Sequence, residues 1–74
     1  GDLEQAQRFL ESCARRAPRF PACQRMLGVL YGHKQDHARS IRHYQRYLEL
    51  APDAQDARNI RDIIRNFEQT ESRP

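Results

Sequence analysis

Residues 21–54 read PACQRMLGVLYGHKQDHARSIRHYQRYLELAPDA, and this stretch decides the fold because it spells two helices and their turn. Cys23, Met26, Leu27, Leu30 and Tyr31 recur at spacings of three and four, which gathers them on one face of a helix. Pro21 suits a first turn, where an N–H is not needed, so this helix is expected over about residues 22–34. Asp36 stands ready to cap a second helix over 37–50, whose apolar face is Ala38, Ile41, Tyr44 and Leu48 with Tyr47 beside it. Pro52 stops that helix. A connection this short makes the two helices antiparallel neighbours.

Working outward, Leu3, Ala6, Phe9, Leu10, Cys13, Ala14 and Ala17 place an earlier helix over 2–16, ended by Pro18. A fourth is expected over 54–68, capped by Asp53 with Asp56 adding negative charge at its positive end. Its buried stripe is Ala57, Ile60, Ile63, Ile64 and Phe67, opposite Arg58, Arg61 and Arg65. No apolar residue follows Phe67, so 69–74 is expected to be a flexible tail after a helical domain of residues 1–68. Nothing alternates with the period of a strand. The fold class is all-α.

The pattern also repeats. Ala17-Pro18 recurs as Ala51-Pro52, Asp2 as Asp36 and Arg8 as Arg42, each at an offset of 34. Within 21–54 the residues Leu27-Gly28-x2-Tyr31, then Ser40-x3-Tyr44, then Pro52 resemble one complete unit of the tetratricopeptide repeat family. Gly28 removes a side chain where two helices cross, and Tyr31 and Tyr44 fill the space between them. Residues 1–20 resemble the second helix of a preceding unit, and the fourth helix resembles the closing helix of such arrays. The resemblance implies antiparallel helix-turn-helix repeats in a four-helix fragment of a right-handed superhelix. Three positions depart from the family pattern: Gln24 replaces a large aromatic, Gln35 a turn glycine, and Tyr47 a small residue. Tyr47 is expected to fill volume vacated at Gln24.

Composition narrows the chemistry. Seventy-four residues, 38% hydrophobic and 31% charged, build one small core and no deep catalytic cavity. No run reaches a membrane span and no signal peptide is visible. The positive charge is almost wholly arginine, Lys34 being the only lysine, a skew that points to a GC-rich bacterial genome; the half unit before residue 21 gives the expectation of a piece of a longer protein. The residues do not name a compartment, with the cytoplasm as the default.

Cys13 and Cys23 are expected to be buried reduced thiols, the alternative being a disulfide between the last turn of one helix and the first turn of the next. His33 and His37 have the spacing of a zinc pair, but the turn at Gln35 and Asp36 splits them and no third ligand follows, so no metal is expected. Cys13 has no base beside it in the sequence pattern. No catalytic residue and no cofactor are expected.

The resemblance implies a protein-interaction module or scaffold that holds a peptide or partner protein on a helix-lined concave surface. The groove residues it implies are Ala22, Arg25, Val29, Gly32 and His33 on the complete unit and Asn59, Ile63 and Asn66 on the last helix. Arg25 is the expected anchor for a partner carboxylate. Val29 stands where the family's carboxylate clamp has asparagine, so that clamp is not implied. Two alternatives remain open: a structural cap for a longer array, and a homo-oligomer formed through an uncovered stripe containing Leu3 and Phe9. Nucleic-acid or anionic-surface binding ranks last, because acidic residues interrupt Arg39, Arg42, Arg46, Arg58, Arg61 and Arg65 and the aromatics sit on core stripes.

Overall fold

A computed structural model describes residues 1–72. It contains four helices, α1 (Asp2–Arg16), α2 (Pro21–His33), α3 (His37–Leu50) and α4 (Ala57–Ser72), and no strand among the described residues. None of these helices is long and apolar enough to cross a membrane.

The helix ends follow from the punctuation. At Ala17 the backbone turns out of the helix at φ −133° and ψ 70°, its N–H bonding Cys13 O; at Ala51 it does so at φ −139° and ψ 65°, bonding Tyr47 O. A proline follows each, so the repetition seen in the sequence is repeated in the backbone. The α2 end is different. Gln35 N–H bonds Gly32 O at 3.0 Å and Asp36 N–H bonds Tyr31 O at 2.9 Å, a Schellman closure that puts Gln35 at φ 61°. Glycine has no Cβ to object there, whereas glutamine holds the turn at a cost. Asp36 then starts α3, its Oδ1 accepting from Arg39 N–H.

Each helix packs on its neighbours in the chain and runs antiparallel to them. Gln7 bonds Lys34 while Cys13 meets Cys23; Gln24 bonds His43 while Gly28 meets Ser40; His37 stacks on Phe67 while Tyr47 bonds Asp56. The result is a slab of 36 × 33 × 16 Å, in which α2 and α4 point the same way. One core cluster joins Leu27, Leu30 and Tyr31 to Ala6, Leu10 and Ala14; the other joins Tyr44, Tyr47, Ile60 and Ile64 to Val29, Ile41, Leu48, Ile63 and Phe67. Full burial of a side chain such as Leu27 or Ile60 contributes about 1.5–3 kcal/mol.

The crossing of α2 and α3 is the tightest point. A Cβ at Gly28 would lie 2.5 Å from two ring carbons of Tyr44, so the α2 backbone rests directly on that ring. Ser40, fully buried, donates its hydroxyl to the Gly28 carbonyl at 2.6 Å and leaves no polar atom unmet.

Several expectations are corrected. Cys13 and Cys23 are not free thiols: the short turn brings their Cα atoms to 6.0 Å and the sulfurs are bonded. The fourth helix begins at Ala57 rather than 54, after two successive turns, so Asp53 does not cap it. It then continues through 69–72, where a flexible tail was expected; Glu71 reaches His37 and Thr70 Oγ1 bonds Asn66 O, so polar contacts carry the last turn. Residues 73–74 of that tail lie outside the described residues. Met26 is 45% exposed and Ala38 is exposed, although both were placed on core stripes. Tyr47 does not fill the space at Gln24: it packs with Tyr44, Ile60 and Ile64 and donates to Asp56, while Gln24 is buried, with its amide oxygen 2.8 Å from His43 Nδ1, and borders a hollow with Arg42 and Arg46.

Candidate functional site

Parallel orientation lets α2 and α4 present equivalent stripes to one side of the slab. On α2 a stripe at the edge of the core face carries Ala22, Met26, Val29 and His33, spaced four, three and four; on α4 a run of the same spacing is Asn59, Ile63, Asn66 and Thr70. Between them lies a hollow of about 310 Å³ lined by Val29, Gly32, His33, Tyr44, Ile63, Asn66 and Phe67. Val29, Ile63, Tyr44 and Phe67 make its floor and walls apolar, while His33 and Asn66 stand exposed at the rim.

Gly32 keeps this hollow open. A Cβ there would meet Phe67 at 3.4 Å, an ordinary contact, so the space beyond it exists because glycine carries nothing. Phe67 is held from behind by His37, stacked at 4.2 Å with an 8° tilt, and His37 Nδ1 lies 3.4 Å from Glu71 Oε1. A wall fixed in this way is ready for an incoming group without first paying an ordering cost.

Five of the eight expected groove residues therefore meet in one place: Val29, Gly32, His33, Ile63 and Asn66. Ala22 and Asn59 are exposed on the same helices but do not line the hollow. Arg25 also lies outside it, and the carboxylate it meets belongs to this chain. Its Nε donates to Asp56 Oδ2 at 2.6 Å, and the Tyr47 hydroxyl donates to Asp56 Oδ1 at 2.6 Å. These two donors, Tyr47 first, hold the Asp56 carboxyl below its usual pKa range, and the Asp56 bond in turn raises that of Arg25. The trio ties α2, α3 and the start of α4 together, so Arg25 fixes the distance between the two groove helices.

Tyr44 and Phe67 were missed as groove residues because their spacing puts them on the core stripes. They are both: one edge of each ring packs inward and another is left facing the gap over Gly32. The glycine four residues after Gly28 was the sequence signal for it.

On the opposite side, the His43 ring stacks on Tyr31 at 5.5 Å, and Tyr31 donates its hydroxyl to Glu11 Oε1 at 2.6 Å. That bond is the main reason the Glu11 carboxyl sits below its usual range. Burial, followed by the nearby Arg42 charge, lowers the pKa of His43. Among the described residues no group of three or more His, Cys, Asp or Glu side chains is placed to hold a metal ion. Compared with protein-family models, curated proteins and solved structures, the chain gives no match.

Proposed function

We propose that this chain is a non-catalytic protein-binding module of tetratricopeptide type, which holds a segment of another protein in the slot between α2 and α4. The observation that carries the reading is the convergence of Val29, Gly32, His33, Ile63 and Asn66 on one apolar-floored hollow between two parallel helices. Parallel stripes at four-three-four spacing offer the ridges and grooves that a third helix, or one large apolar side chain of an extended segment, can fill. Because Asp56 occupies Arg25, affinity would come from burying an apolar side chain, with the Asn66 amide fixing orientation.

Peptides selected from a display library on the immobilised protein test this. Selected peptides should share a large apolar anchor and should lose binding to Gly32→Leu, which fills the hollow while its melting temperature stays at or above the parent value. Retention of full affinity by a folded Gly32→Leu protein would refute the groove assignment.

A second reading, that the unit closes a longer array, has one observation in its favour. The face of α4 turned away from the core carries Arg58, Arg61, Asp62 and Arg65, all exposed, as the solvent side of a terminal helix requires.

A further inference from the structure

We infer that α1 is a self-association surface, pairing antiparallel with α1 of a second copy about a two-fold axis near Phe9 and Ser12. The offset of 34 supplies the starting comparison. On α3, Ser40, His43 and Tyr44 are covered by α2 through Gly28 and Gln24; the same register on α1 is Ala6, Phe9 and Leu10. Of these three, Ala6 and Leu10 pack against Leu27, Leu30 and Tyr31 of α2, whereas Phe9 is 73% exposed and no residue of α1 is buried.

Shape and charge select the occupant. Phe9, Ser12, Cys13 and Arg16, spaced i, i+3, i+4 and i+7, line a hollow of about 340 Å³ together with Ala17, the diamond into which a helical knob inserts. Phe9 of a second copy is such a knob, and a two-fold axis lets each copy provide both knob and hole. Asp2 and Glu4 lie in the first turn of α1 and Arg15 and Arg16 in the last, so antiparallel pairing sets the acidic end of one helix beside the basic end of the other. Asp2 and Arg16 have no ion-pair partner within the described residues. A head-to-tail arrangement is disfavoured by chemistry, since the α4 residues equivalent to Gln24, Leu27, Gly28 and Tyr31 are Arg58, Arg61, Asp62 and Arg65, which cannot seat on Phe9.

Sedimentation velocity on the 74-residue protein at rising concentration, at low and high salt, tests the pairing. A single helix pair buries less than a standard interface, so the dimer is expected only at high protein concentration and should weaken with salt. Phe9→Glu should leave the protein monomeric throughout with an unchanged melting temperature. Asp2→Arg should weaken the dimer about tenfold, and adding Arg16→Asp should restore it to within about threefold. A parent protein that stays monomeric at millimolar concentration, a Phe9→Glu protein that still dimerises, or a charge swap that fails to restore pairing would each overturn the inference.

Discussion

Replacing Gly28 by alanine adds one methyl group where α2 crosses α3, and the structure fixes what that methyl meets. Its carbon would sit 2.5 Å from Cδ1 and Cε1 of Tyr44 and 2.8 Å from Cγ, against a normal carbon–carbon separation of about 3.5–4.0 Å. The shortfall of about 1 Å falls on the body of the ring. Tyr44 is 4% exposed and packed among Tyr47, Ile60 and Ile64, so it has no empty rotamer to move into. Overpacking of this kind costs about 1–3 kcal/mol. Helix propensity works the other way, alanine gaining about 1 kcal/mol over glycine in a helix interior. A shortfall of this size on the body of a buried ring belongs at the upper end of the overpacking range, about 2–3 kcal/mol. The clash therefore wins, with a net loss of about 1–2 kcal/mol, or a fall of about 4–16 °C in Tm for a domain of this size. Gly32→Ala is the internal control, because its Cβ meets Phe67 and Ser40 at 3.4–3.5 Å and keeps the propensity gain; its Tm should hold or rise. Thermal unfolding followed by circular dichroism reads both. If Gly28→Ala were as stable as the parent, α2 would not rest on Tyr44. If combining it with Tyr44→Leu gave strictly additive losses, the methyl–ring clash would not be their source.

Three further outcomes follow from other parts of the structure. Gln35→Gly should raise stability by about 0.5–1 kcal/mol, since the φ of 61° is strained for glutamine and free for glycine; a lower denaturation midpoint would contradict the Schellman closure. Cys13→Ser with Cys23→Ser opens a loop with a sequence separation of 10 and should cost about 2–3 kcal/mol. Because α1 has no buried residue, hydrogen exchange should quicken first in α1, and uniform acceleration over all four helices would refute that order. Acid should destabilise the fold in two stages. His43 has a folded pKa below its ordinary 6.5, so the unfolded chain takes up the proton first and stability already declines as pH falls from neutral. Asp56 and Glu11, also lowered in the fold, give stabilisation that is complete above the unfolded carboxylate range and vanishes as pH falls through their folded values. A His43→Gln protein should lose only the first stage; a Tm that rises on acidification would reverse the reasoning.

What the sequence discloses about this fold depends on how local each determinant is. The bounds of α1 and α3 match their expectation because Pro18, Asp36 and Pro52 act on their own backbone within a few residues. The last turn of α4 escaped the apolar pattern because polar contacts carry it, one of them to His37 more than thirty positions away. The same distance hid the engagement of Arg25, whose partner Asp56 lies 31 residues on and could not be told from any other surface acid. Cysteine pairing turns on an approach between two side chains that spacing leaves open, and the turn settles it. Five of the eight residues expected off the core stripes line the hollow between α2 and α4, because two parallel helices turn those positions toward one gap. The floor of that hollow was not legible, because Tyr44 and Phe67 serve core and groove together.

Backbone amide shifts of the labelled protein, recorded during titration with a selected peptide, test the central claim most directly. The account predicts that the largest changes cluster at Val29, Gly32, His33, Ile63, Asn66 and Phe67 and vanish in Gly32→Leu. Changes confined to α1, or to the arginine-bearing outer faces of α3 and α4, would contradict it.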